Sequence, residues 1–182
     1  LEIYLGNGDV KDAFHRFRLR RDFALWFGVW NATAGELRIV GQRAGDELVG
    51  FHDPLDLVWT SLPMGFSWSS AIAQDVTLFL CQSAGISEDC ILCEDEPPPG
   101  TFAEVVTVTT DDTVLIHTDP SAATARLSKL DAAFDACGIP RNKEKDISLS
   151  DSVTALGCDL GNFPPLAEPS AVKAAAFIGS TL

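Results

Sequence analysis

Apolar residues along the chain fall into two patterns, dense β-branched runs and wider helical spacings, and their order gives a first picture of the fold. Phe102-Ala-Glu-Val-Val-Thr-Val-Thr-Thr110 and Thr113-Val-Leu-Ile-His117 are both rich in β-branched residues, which predicts a β-hairpin with Asp111 and Asp112 at its tip. Ile3-Tyr4-Leu5 and Val10 predict a strand able to lie beside that hairpin, which would bring Asp9 to the same sheet edge. Behind the breaker cluster Pro63-Met64-Gly65, the stretch Ser69 to Cys81 sets Ile72, Val76, Phe79 and Leu80 at helical spacing, with serine expected to cap its start. Ser121 to Cys137 carries Ala122, Ala125, Leu127, Leu130, Ala133 and Phe134 on one broad face, an amphipathic helix expected to cover the sheet. Asp119-Pro120-Ser121 is its entry and Gly138 its stop. Val153 to Leu160 reads as one more strand, and Ser170 to Leu182 as the beginning of a helix.

Composition narrows the class. At 182 residues and 46% apolar content the chain can bury a sizeable core as one globular domain. No apolar run reaches the roughly 18 residues of a membrane span, and no basic-then-apolar leader opens the chain, so a soluble intracellular protein without a membrane partner is expected. Glu88 to Gly100, acidic and containing Pro-Pro-Pro, reads as a surface insertion, and Asn162 to Pro169 as a Pro-rich exit. Five cysteines, an odd number, argue against a disulfide framework. Cys90 and Cys93 form the one close pair, which Cys81 could join in a zinc site, but no second close Cys/His pair follows. His15, His52 and His117 are scattered and read as surface or packing residues.

The chemistry lies in the acids. Asp111 and Asp112 sit between two short apolar runs and Asp9 ends another, and convergence at one sheet edge would set like charges against each other. Two carboxylates about 4 Å apart repel by roughly 4 kcal/mol at an effective dielectric near 20, so such a cluster calls for cations. Hard oxygen ligands favour Mg²⁺. An Asp-Asp pair in a hairpin is also an ordinary solvated turn, and the pair alone does not separate these readings.

The order of the surrounding segments does. Asp9-Val-Lys-Asp-Ala-Phe-His-Arg-Phe-Arg-Leu19, Leu62-Pro-Met-Gly-Phe-Ser-Trp-Ser-Ser-Ala71, Thr109-Thr-Asp-Asp112, Gly138-Ile-Pro-Arg-Asn-Lys-Glu-Lys145 and Leu156-Gly157 closely resemble successive motifs of the reverse transcriptase palm, retrotransposon enzymes most of all. The resemblance runs from about Ile3 to about Leu160, with Leu156-Gly157 resembling the segment that begins the primer-holding hairpin, the primer grip. It implies an α+β palm over residues 1–161, an antiparallel sheet carrying the acidic triad with helices packed on one face, and 162–182 as a Pro-rich exit and incomplete helix. Fingers and thumb would be largely absent, supplied by other segments of a longer polyprotein.

By the same resemblance the chain is an RNA-directed DNA polymerase that performs two-metal nucleotidyl transfer to a primer 3′-hydroxyl. Two Mg²⁺ (or Mn²⁺) ions would be held by Asp9, Asp111, Asp112 and the carbonyl of Val10. Template RNA or DNA with primer, and deoxynucleoside triphosphates, would be the partners. The backbone at Asp12 and Ala13 would face the triphosphate, Phe14 would stand against the sugar, and Met64 and Gly65 would contact nucleotide or template. A planar wall at Phe14 excludes a 2′-hydroxyl by overlap. Lys145 matches the lysine that protonates the leaving pyrophosphate, and equally suits a solvated charged loop with Lys143, Glu144 and Asp146. Two positions depart from the family: Met64 stands where many retroviral enzymes have glutamine, and Thr109 stands where a tyrosine is common.

The net charge of −13 runs against phosphate binding. Lys11, Arg16, Arg18, Arg20, Arg21, Arg38 and Arg43 cluster early enough to form one positive strip on an acidic body. The alternatives are a catalytically inactive remnant that keeps a nucleic-acid-binding palm and, on the same carboxylate chemistry, a two-metal phosphohydrolase.

Overall fold

The computed structural model describes residues 2–92, 103–162 and 166–180. Cys93, most of the Glu88–Gly100 stretch, Phe102 and the middle of the Pro-rich exit therefore lie outside the described residues. The chain opens with strand β1 (Tyr4–Gly8). Short elements follow: α1 (Ala13–Arg16), α2 (Arg21–Ala24), β2 (Gly28–Thr33), β3 (Arg43–Ala44), β4 (Glu47–Leu48) and β5 (Pro54–Val58). After α3 (Ser69–Ser83) come β6 (Ile91–Leu92), β7 (Glu104–Thr109), β8 (Asp112–His117) and α4 (Pro120–Ala136). The chain continues through β9 (Ile147–Ser150), β10 (Ser152–Ala155), β11 (Cys158–Gly161), β12 (Leu166–Pro169) and α5 (Ala171–Ser180). Two compact units result, one of Leu1–Ala13 with Ser70–Leu182 and the other of Phe14–Ser69.

The first unit is built on a five-stranded sheet in the order β6-β7-β8-β1-β9. Strands β7 and β8 form the expected hairpin, Thr109 pairing Asp112, and β1 lies antiparallel on its other side with Gly8 opposite Thr113. The short edge strand β6 departs from this pattern by running parallel to β7. Side chains alternate across a pleated sheet, so Gly6 and Gly8 share one face, and Leu5, Asn7 and Val114 share the other. Helix α4 covers the first face: a Cβ on Gly6 would meet Leu127 at 3.1 Å. On the second face Leu5 and Val114 pack with Val153 and Ala155 of β10.

Helix α4 starts where expected. The Asp119 carboxylate accepts hydrogen bonds from the N–H groups of Ser121 and Ala122, Pro120 sits in the first turn, and Gly138 follows the end at φ +67°. Its buried stripe is Ala123, Leu130 and Phe134 with Leu127 half-buried, whereas Ala122 and Ala125 are exposed. Small alanines scattered around a helix blur its phase, and the larger side chains decide it. Ser69, one of the serines expected near the start of α3, is its first residue. The Ser69 hydroxyl donates to the Pro63 carbonyl at 2.7 Å.

The single strand expected over Val153–Leu160 is two. Leu156 and Gly157, at φ +54° and +76°, turn β10 back into β11, and β12 extends this second sheet.

In the unit of Phe14–Ser69, β2 pairs β5 antiparallel and β3 pairs β4. Phe23, Phe27 and Phe66 meet edge to face, with centroids 4.9–6.1 Å apart. Trp26, Trp30, Trp59 and Trp68 are all exposed. A groove of about 730 Å³ in this unit is lined by residues that include His15, Arg18 and Arg21. Among the described residues, no helix is long and apolar enough to cross a membrane.

Candidate active site

Two β-strands bring the acids together. Because Gly8, the last residue of β1, is level with Thr113, the residue that follows it, Asp9, comes level with Asp112 at the same end of the sheet. Alternation places both on the face shared with Leu5 and Val114, opposite the face that carries α4. Asp9 is buried, and Asp111 and Asp112 are half-buried.

The turn that carries Asp111 and leads into Asp112, the first residue of β8 and so a strand residue and not part of the tip as expected, is held in an unusual shape. Thr110 takes φ +58°, a region that costs a β-branched residue of order 1–2 kcal/mol. Helix α3 supports it from both sides of the peptide. Gln74 Oε1 accepts the Thr110 N–H at 3.2 Å, and the buried Thr77 hydroxyl donates to the Thr110 carbonyl at 2.9 Å. Thr109, where the family commonly has a ring, is exposed and sits in ordinary register with Asp112.

Electrostatics report the crowding. The Asp111 carboxyl titrates above the ordinary aspartate range, through burial first and then through the charges of Asp112 and Asp9. Asp112 is raised in the same way, by burial and then by Asp9, with Lys145 pulling it partly back. Lys145 supplies the local cation. Its Nζ lies 3.0 Å from Asp9 Oδ2, and that bond holds its ammonium above the usual lysine range. Lys145 is thus neither a free solvated lysine nor remote from the acids, although its side chain is 68% exposed.

The turn after α4 grips Asp9 from three directions. The Asn142 side-chain amide donates to Asp9 Oδ2 at 3.0 Å, the Asn142 backbone N–H donates to the Asp9 carbonyl at 2.8 Å, and the Asp9 N–H donates to Asp146 Oδ1 at 3.2 Å. Val10, buried, bridges to Arg141, and the Lys11 N–H donates to the Pro140 carbonyl at 3.0 Å. The sequence gives no role to Asn142, Asp146, Gln74 or Thr77. One signal was present: Asn142 stands three residues before Lys145, so a turn that aims one aims the other.

The remaining expected site residues divide between the two units. Asp12, exposed at φ +55°, and the buried Ala13 belong with Asp9. Phe14, Met64 and Gly65 belong to the other unit. There Phe14 is half-buried, Met64 is 72% exposed, and Gly65 at φ +88° occupies a turn in which the Phe66 N–H donates to the Pro63 carbonyl at 3.3 Å. That φ selects glycine.

For a divalent ion, the donor set fits in kind: three carboxylates at one end of a sheet, with the titration of two raised by burial first and then by their neighbours' negative charge. Among the described residues, however, no group of three or more His, Cys, Asp or Glu side chains is gathered as it stands to hold a metal. The Lys145 ammonium occupies the flank of Asp9 instead. Cys81 is buried in the core, which pushes its thiol up to about 11, the opposite of what a zinc ligand needs.

No protein-family model matches the chain, and a search of curated proteins finds no match. Solved structures do match. A foamy viral protease-reverse transcriptase (dRH form) in complex with double-stranded DNA superposes with a TM-score of 0.62 at 18% identity, over 94% of this chain and 23% of that one. The foamy viral protease-reverse transcriptase in complex with an RNA/DNA hybrid gives 0.57 at 17% identity, over 93% and 17%. Apo telomerase from Candida tropicalis gives 0.54 at 14%, over 94% and 32%. The chain spans between 17% and 32% of the length of these three. Identities this low speak to the fold alone, which is mixed α+β and reverse-transcriptase-like.

Proposed function

We propose that this chain, whose fold is mixed α+β and reverse-transcriptase-like, is a palm that performs RNA-directed DNA synthesis of the retrotransposon type by nucleotidyl transfer to a primer 3′-hydroxyl. The observation that carries this reading is the placement of Asp9 beside Asp112 across the β1–β8 pairing, with Asp111 in the adjoining turn. Asp9, Asp111 and Asp112, with the Val10 carbonyl, are the groups to hold two Mg²⁺ or Mn²⁺ ions, which when bound lower the pKa of the attacking hydroxyl and stabilise the leaving oxygen.

The chain's own residues do the rest. Asn142 and the backbone of the 140–142 turn fix Asp9, and Gln74 and Thr77 fix the turn that carries Asp111 and leads into Asp112. Such fixed geometry is what in-line transfer requires, since misplacement by an ångström is costly in rate. Lys145 carries a proton beside Asp9 and can give it to the departing pyrophosphate once its partner is neutralised. Phe14 serves as the wall against a 2′-hydroxyl, and Asp12, Ala13, Met64 and Gly65 contact the incoming nucleotide and template. Primer-template and deoxynucleoside triphosphates are the partners. The groove lined by His15, Arg18 and Arg21 offers positive charge to a nucleic-acid backbone on an otherwise acidic chain.

The test is primer extension by the chain joined to its natural flanking segments, with and without Asp111→Asn. Loss of incorporation in the variant supports the assignment, and undiminished incorporation removes Asp111 from the mechanism. A second reading, a non-catalytic nucleic-acid-binding palm, is favoured by the absence of a gathered ligand set among the described residues and by the ammonium lying against Asp9. It predicts primer-template binding without Mn²⁺-dependent stabilisation of the protein.

A further inference from the structure

Arg141 is a charged side chain only 5% exposed, and charges are rarely buried so deeply unless fully paired. Its pairing is incomplete. Nη2 donates to Asp146 Oδ1 at 3.2 Å and Nη1 faces Asp131 Oδ1 at 3.4 Å, yet neither Nε nor Nη1 makes a hydrogen bond among the described residues. The Phe134 ring lies beneath the guanidinium, 4.9 Å from centroid to Cζ. Asp131 is about half exposed, so its pair adds little, and the contact that remains substantial is the one to Asp146. The oxygen of Asp146 that receives Arg141, Oδ1, is also the one that accepts the Asp9 N–H. Space for the guanidinium exists only because residue 8 lacks a side chain: a Cβ there would lie 1.3 Å from Nη2. Gly8 is the residue immediately before Asp9.

We infer that Arg141 is a positioning residue for Asp9: its buried guanidinium, seated over Gly8, holds Asp146 against the Asp9 backbone N–H and so fixes where the Asp9 carboxylate stands. The main chain on either side reinforces the link, through the Val10–Arg141 bridge and the Asn142 N–H donated to the Asp9 carbonyl. Arg141 reaches no reacting atom in this account. It acts through Asp146 on the acid beside it, and the partly unsatisfied burial is the cost of holding that carboxylate in one place. The inference deepens the nucleotidyl-transfer reading and rests on it for its metal arm alone.

The test uses ¹⁵N-labelled full 182-residue chain, first without metal and then titrated with Mn²⁺. Arg141→Met keeps the bulk and the contact with Phe134 but frees Asp146. Protection of the Asp9 amide against hydrogen exchange then falls by at least about tenfold while that of Val106, central in the sheet, is unchanged. In the Mn²⁺ titration affinity falls about tenfold, the usual effect of removing an outer partner of a ligand. Arg141→Gln, which also removes the guanidinium but leaves the Asp146 carboxylate in place, carries the test if Arg141→Met fails to fold. Unchanged Asp9 protection in a folded variant overturns the inference. So does lost protection with unchanged affinity in a chain that binds Mn²⁺. A parent chain that takes up no Mn²⁺ refutes the nucleotidyl-transfer reading instead, and the amide result then decides the positioning role by itself.

Discussion

Replacing Gly8 with alanine tests how tightly the site's foundation is packed. Gly8 ends strand β1 outside the positive-φ region, so alanine meets no backbone penalty and the cost is steric. The added methyl would lie 1.3 Å from Arg141 Nη2 and 2.3 Å from Cζ, and the guanidinium must retreat about 2 Å to regain van der Waals contact. An arginine at the surface would do so freely. This one is packed on Phe134 and bonded to Asp146, so retreat breaks a buried pair. Overpacking costs about 1–3 kcal/mol and loss of one member of a buried pair about 3–5 kcal/mol, which brackets an expected destabilisation of about 3 kcal/mol. For a chain of this size that is a fall in Tm of about 6–12 °C. Urea denaturation should show a lower midpoint with an unchanged m-value. Pairing Gly8→Ala with Arg141→Ala should be less damaging than the sum of the two, by about 1 kcal/mol or more, because the smaller side chain vacates the space. A Gly8→Ala chain within about 0.5 kcal/mol of its parent, or strict additivity in the double variant, would show that the guanidinium is not where this reasoning needs it.

Other consequences can be checked on the same chain. Asp111 and Asp112 have folded-state pKa values raised above the unfolded ones, so the native state binds those protons more tightly and metal-free stability falls as pH rises through the window above the ordinary value of 3.8. Asp112→Asn should flatten that fall in denaturation midpoints taken from about pH 4 to about pH 7, and an unaltered slope would mean the crowding is not felt. Thr77→Val removes the hydroxyl that bonds the Thr110 carbonyl and should cost about 1–2 kcal/mol, read by urea denaturation, with an equal loss across all template sequences in primer extension. Arg126 spans both Glu104 oxygens and the Ala84 carbonyl in a setting where both side chains are under one-fifth exposed, so Arg126→Met should destabilise by about 3 kcal/mol. Full stability in that variant would leave the ion pair without energetic weight.

Much of the first unit could be read from the chain because its elements have clear periods. The β-branched runs give β7 and β8, the spacing Leu127, Leu130, Phe134 gives α4, and Asp119 with Gly138 marks its ends. Asp9 also comes level with Asp112 at one sheet end, because strand register is set by the apolar rows behind them, although no three acids are gathered there to hold a metal among the described residues. Residues 14–69 were legible only in part, since β2 and β5 carry large apolar side chains that remain exposed, and the usual alternation of inward apolar and outward polar positions is missing. The β10–β11 turn was legible only through the family motif: the resemblance makes Leu156-Gly157 the start of a hairpin, whereas apolar periodicity alone runs through it and nothing in the Leu156 side chain announces its left-handed conformation. The grip on Asp9 was hidden for another reason. Asn142 and Asp146 lie more than 130 residues away in sequence, and no local pattern carries a contact of that range.

The measurement that bears most directly on the site is Mn²⁺ binding by electron paramagnetic resonance on the parent chain and on Asp9→Asn and Asp112→Asn. Saturable uptake by the parent at two sites is expected, weakened by at least about tenfold in each variant, since both carboxylates contribute to one constellation. Uptake that survives in both variants, or a parent that binds no Mn²⁺ at millimolar concentration, would contradict this expectation.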